Sequence, residues 1–100
     1  MTSSPESARD PREELRDCRN AIEVVDRRIV ALLGQRVALG LRAADAKRRA
    51  GLPIIDASRE AEVLRVAVDA AREEGLPIDA VRDLFERIVG ISRQAQEKRS

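Results

Sequence analysis

Arg36 and Lys47 stand 11 residues apart. On one α-helix, 11 steps of ~100° overshoot three turns by only about 20°, so the two cations share a face. Gly40 and Ala43 lie between them, which leaves a trough about 16 Å long floored by the smallest side chains. A cation at each end of such a floor suits a small dianion. Further along, Asp56 and Glu60 are spaced i, i+4 beside Arg59, and that spacing puts both carboxylates on one helical face. Ser92 and Gln96 repeat the i, i+4 spacing near the C-terminus and bring a hydroxyl and a neutral amide to another face. With no His in the chain, the chemistry open to such a set is what Arg, Lys, Asp, Glu, Ser and Gln can supply, beginning with recognition of a small anion.

Each residue also has a plainer reading. Arg36 can snorkel to the rim of a bundle, Lys47 can complement the dipole of a last helical turn, and Asp56 can be an N-cap. Glu60 suits a first turn, and Ser92 and Gln96 suit a fraying end. Lys47 stands out because the chain carries 17 Arg and only 2 Lys, so a mid-chain lysine in this setting suggests a place for a compact point charge.

Three helices must position these groups. Asp10-Pro11-Arg12-Glu13 supplies an N-cap, a proline at the first helical position and a glutamate in capping-box spacing. No proline interrupts the chain until Gly51-Leu52-Pro53, so the first helix is predicted over 11–50. Leu15, Cys18, Ile22, Val25, Ile29, Leu32, Arg36, Leu39, Ala43, Ala46 and Ala50 follow alternating three- and four-residue steps along it. Asp56 is expected to cap a second helix that runs to Glu74 with the stripe Val63, Leu64, Ala67, Val68 and Ala71, closed by Gly75. Asp79 is expected to cap a third, with Val81, Leu84, Phe85, Ile88, Val89 and Ile91 leading in phase to Ser92, Ala95 and Gln96. Gly51-Leu52-Pro53-Ile54 and Gly75-Leu76-Pro77-Ile78 read as one stop-and-restart signal used twice.

A 40-residue helix is about 60 Å long, whereas a compact 100-residue domain is only some ~30 to 35 Å across. Leaving half of an apolar seam in water is costly, so a second copy of the chain is expected to cover it. Arg19 and Arg36 are 17 residues apart, about 25 Å along one helix and roughly 100° around it. A site shared by both therefore needs Arg19 from the partner chain. The expected fold is all-α, one long helix and two shorter ones per chain in an intertwined homodimeric bundle. Residues 1–9 are expected to form a disordered tail before a single domain over 10–100.

Composition narrows the function further. The 100 residues are 43% apolar and 37% charged with a net charge of +1, which leaves room for one small domain. There is no His, one Cys and no Trp or Tyr. A Ser-His-Asp triad, an intrachain disulfide and a Cys/His zinc site are thereby excluded. No aromatic platform for stacking bases and no bulk basic field exist, so neither nucleic acid nor a membrane is an expected partner. The polar N-terminal residues lack a secretion signal and no long apolar run occurs, so the protein is expected in the cytoplasm, with Cys18 a reduced packing residue.

The series Arg19-x2-Ile22-x3-Asp26-x2-Ile29-x2-Leu32-Leu33-x2-Arg36, then Lys47, then Ile54-x-Asp56-x2-Arg59-Glu60, then Gly75-Leu76, then Phe85-x2-Ile88-x3-Ser92-x3-Gln96 resembles the all-helical chorismate mutase family. The resemblance spans about Leu15 to Gln96. It implies an intertwined dimer with two sites that rearrange chorismate to prephenate, without metal or cofactor. By the same resemblance, Arg19 from the partner chain and Arg36 would bind the two substrate carboxylates, with Ser92 assisting. Lys47 and Gln96 would donate to the ether oxygen, and Glu60 with Asp56 would accept from the ring hydroxyl. Arg59 would orient Asp56 or neighbouring carboxylates. The rival readings on this fold are a 4-amino-4-deoxychorismate mutase and an isochorismate pyruvate-lyase; outside it stands a non-enzymatic dimerisation module. We expect no appended regulatory domain, so feedback control would act through an activating partner enzyme of the same pathway or be absent.

Overall fold

The structure, a computed structural model, describes residues 9–99. The tail expected over 1–9 thus lies, apart from Arg9, outside the described residues. Three α-helices, α1 (Pro11–Ala50), α2 (Ala57–Glu74) and α3 (Ile78–Arg99), make up the chain, and among the described residues there is no strand. The all-α class and all three helices are as expected. The chain divides into two compact units, one up to Leu32 and the other from Leu33 onward.

The first unit is the N-terminal part of α1. Asp10 Oδ1 accepts from the backbone N–H of Arg12 at 2.9 Å, and the Asp10 carbonyl accepts from Glu13 and Glu14. Pro11, with no N–H to satisfy, occupies the first helical position. Leu15, Ile22, Val25, Ile29 and Leu32 are 48–58% exposed. Cys18 is exposed with them, contrary to the packing role expected of it, because the face on which it sits is uncovered in the single chain.

The second unit is built on α2 and α3, which pack together, with the C-terminal part of α1. Both Gly-Leu-Pro connections end their helices in the same way. Gly51 and Gly75 take left-handed φ values of 72° and 69°, a conformation that costs a glycine nothing. Gly51 N–H bonds Arg48 O and Leu52 N–H bonds Lys47 O at 2.8 Å; Gly75 and Leu76 repeat the pattern on Arg72 and Ala71. These are two Schellman closures, which satisfy carbonyls the helices would otherwise leave bare. Among the described residues, Ala67 and Ala71 of α2 and Ala44 of α1 are the buried apolar ones, and Ser92 of α3 is the buried polar one.

Three details differ from expectation. Asp79 lies inside the first turn of α3, which starts at Ile78, because Pro77 with its fixed φ supplies the helix entry and its carbonyl accepts from Val81 N–H at 3.1 Å. Leu84 and Ile91 are exposed, while Val81, Phe85, Ile88 and Val89 turn inward. On α1, the more covered residues of this unit are Leu33, Arg36, Val37, Gly40, Leu41, Ala44 and Lys47, whereas Leu39, Ala43 and Ala46 are exposed. The helix therefore carries two faces, and the heptad seam, Arg36 apart, marks the uncovered one.

Asp56 caps α2 as expected, with extended backbone and its Oδ1 accepting from Arg59 N–H at 3.2 Å. Replacing a cap of this kind by alanine costs about 1 kcal/mol. Asp56→Ala should therefore lower unfolding free energy by roughly that amount, measured by urea titration with the slope unchanged.

Candidate active site

Arg36, Gly40, Ala43, Ala44 and Lys47 of α1, Ile54 to Asp56 of the connection, Arg59, Glu60 and Val63 of α2, and Val89, Ser92, Arg93 and Gln96 of α3 line one cleft of about 590 Å³. That volume is in the range of small-molecule sites. Arg36, Lys47, Asp56, Glu60, Ser92 and Gln96 are all in its wall. Arg19 is exposed, belongs to the other unit and does not line the cleft.

Local structure explains each placement. Gly40 lets α1 and α3 approach closely: a Cβ there would meet Gln96 Nε2 at 3.6 Å and the Ser92 side chain at 3.8 Å. Arg36 Nη1 donates to Ser92 Oγ at 2.9 Å, so the half-buried guanidinium is aimed by the one buried polar side chain of α3. A guanidinium has five N–H donors, and this bond takes one of them. Lys47 Nζ donates to the Ile54 carbonyl at 3.1 Å. The ammonium is half-buried and tied to the cleft rim, unlike a solvated last-turn lysine, and it keeps further N–H donors. Gln96 Nε2 lies 3.5 Å from the Gly40 carbonyl, a long hydrogen bond. Among the described residues no buried side-chain polar atom lacks a partner.

The acidic side of the cleft is organised by arginines. Arg59 Nη1 pairs with Glu62 at 2.9 Å, so its guanidinium orients a neighbouring carboxylate, and it meets Asp56 only through its backbone N–H. Glu60 is gripped by Arg93 from α3: Nε donates to Oε1 at 2.8 Å, and Nη2 bonds both carboxylate oxygens. Hydrogen bonding to Glu60, and then its negative charge, raise the Arg93 pKa above the ordinary arginine value. Sequence reasoning missed Arg93. It follows Ser92 directly, but its partner is 33 residues away on another helix, and no local spacing reports that.

Four cations and two carboxylates thus line the cleft. The arrangement can bind a dianion and supply donors to a developing negative charge while holding a carboxylate beside it. No group of His, Cys, Asp and Glu able to hold a metal occurs among the described residues.

A helical domain with a cation-rich cleft between its helices is the class defined by these features. The chain belongs to the chorismate mutase type II family, whose model matches residues 18–97, and so to a family of isomerases. Among curated proteins it is similar to the T-protein of Enterobacter agglomerans, 34% identical over 76 residues, covering 76% of this chain and 20% of that protein. It is likewise similar to the T-protein of Haemophilus influenzae, 30% identical over 77 residues, again 20% of the relative. The chain therefore spans about a fifth of the length of these relatives. No solved structure gives a significant match.

Proposed function

We propose that residues 10–100 act as a chorismate mutase domain, converting chorismate to prephenate. The observation that carries this reading is the gathering of Arg36, Lys47, Asp56, Glu60, Ser92 and Gln96 in one cleft. The rearrangement is intramolecular: the ether C–O bond breaks as a C–C bond forms, and no group leaves. What a protein must add is restraint of the reactive conformer and donors placed where oxygen gains charge. In this reading Arg36, aimed by Ser92, binds one substrate carboxylate. Lys47 and Gln96 donate to the ether oxygen. Glu60, held by Arg93, accepts from the ring hydroxyl, with Asp56 beside it at the start of α2.

Arg19 binds the second carboxylate from a partner copy of the chain. The uncovered face Leu15, Ile22, Val25, Ile29 and Leu32 supports a homodimer, since burying each such side chain contributes roughly 1.5 to 3 kcal/mol. Sedimentation equilibrium should give twice the chain mass. Ile29→Asp should give the monomer mass and lose turnover; a dimeric, active Ile29→Asp would remove this helix face from the interface. No described helix is long and apolar enough to cross a membrane; a cytoplasmic site of action is part of what we propose. An activating partner enzyme remains part of the proposal, and would show as a rise in turnover on its addition.

The deciding experiment is the loss of chorismate absorbance on adding the purified protein, with products separated by chromatography. Prephenate without pyruvate is the expected result. Pyruvate release would mean a lyase on the same fold, and turnover of 4-amino-4-deoxychorismate alone would mean the aminated substrate; either overturns the reading. Absence of any turnover, with the partner enzyme also supplied, would leave a helical dimerisation module.

A further inference from the structure

The Arg93–Glu60 pair links α3 to α2 at the wall of the cleft. Both residues line the cavity, with side chains 46% and 31% exposed, so the pair is open to a ligand. Its geometry has a chemical consequence. An isolated carboxylate attracts an ammonium group strongly and a hydroxyl weakly. A carboxylate already bound to a guanidinium presents little net charge, yet it offers about four lone-pair positions, and Arg93 does not occupy them all. A neutral hydroxyl can still donate to Glu60. An ammonium brought to the same place would lie beside Arg93 and be repelled by it about as much as Glu60 attracts it.

We propose that Arg93 is a specificity-determining residue: by pairing with Glu60 at the cleft wall it reserves that position for a ring hydroxyl and rejects a substrate bearing an ammonium there. This rests on the mutase reading and deepens it, since it decides between chorismate and its 4-amino-4-deoxy counterpart. Asp56 at the start of α2 is the other carboxylate of the cleft, and Arg59, which could offset it, is engaged with Glu62. Arg93 is therefore the cation that sets the charge at Glu60. Guanidinium chemistry suits this role, because the planar fork holds both carboxylate oxygens and stays charged at every working pH.

The test measures kcat/KM for chorismate and for 4-amino-4-deoxychorismate with the wild type, Arg93→Gln and Arg93→Lys, each checked by thermal unfolding. Arg93→Gln should raise the ratio of amino to hydroxy substrate by about tenfold, the effect of removing one like charge at a partly exposed site. Arg93→Lys should keep the wild-type ratio. An unchanged ratio in Arg93→Gln would overturn the assignment, as would a Lys variant that loses discrimination as fully as the Gln one. A purely structural role moves both substrates together and leaves the ratio alone. If the wild type does not turn over chorismate, the functional reading fails and the assignment falls with it; turnover with an unmoved ratio defeats the assignment only.

Discussion

Lys47→Ala should lower kcat/KM for chorismate by about 10²-fold or more, the scale on which a single transition-state donor acts. The loss should fall mainly on kcat. Lys47 holds its ammonium in a half-buried position on the Ile54 carbonyl, so its charge is fixed before substrate arrives and needs little reorganisation as the ether oxygen gains electron density. Arg36 is directed toward Ser92, Arg59 and Arg93 are paired with carboxylates, and Gln96 carries no charge, so Lys47 is the cation proposed for that oxygen. A loss under tenfold, with the protein folded by circular dichroism, would return Lys47 to an ordinary helix-end role.

Gln96→Glu should convert a pH-independent reaction into an acid-dependent one. With a neutral amide donating to the ether oxygen, wild-type kcat should be flat from about pH 5 to 8. The carboxyl introduced by the substitution can donate only when protonated, and a glutamate has an ordinary pKa of about 4.3. Activity should therefore climb as the pH falls through that group's pKa, and at pH 8 the variant should be about 10²-fold or more below the wild type. Arg93 adds no slope to this window. Its pKa is raised by hydrogen bonding to Glu60 and then by that residue's negative charge, so the guanidinium stays protonated throughout. Full activity of Gln96→Glu at pH 8 would exclude the assigned role.

Where the chain turns was legible because the signals are local. Asp10-Pro11, Gly51 and Gly75 each act through their own backbone and a few neighbouring atoms, and the helix limits at those points are as expected. At α3 the first turn contained two candidates, and the rigid proline took the entry from Asp79. The inward face of α1 was harder to read. It is approached by α3 at Gly40 and is buried at Ala44, small residues that carry little hydrophobic signal, while the more apolar seam through Leu39 is exposed. The cleft residues were legible from their in-phase placement on three predicted faces. Arg93 was not, because a long side chain reaching from one helix to the next leaves no trace in linear spacing, and neither does the engagement of Arg59 with Glu62.

The closure at the end of α1 makes Lys47 a double tether. Its carbonyl receives Leu52 N–H, and its ammonium holds the Ile54 carbonyl, so the same residue grasps both flanks of Pro53. Gly51 touches nothing in the cleft: a Cβ there would meet no atom within 4 Å. Yet its left-handed φ of 72° is what brings Leu52 back onto Lys47. An alanine at this position would fit the space and strain the backbone, and the disturbance would reach Lys47, the donor proposed for the ether oxygen. A survey of tolerated substitutions would then score Gly51 among the catalytically sensitive positions, although it never meets the substrate.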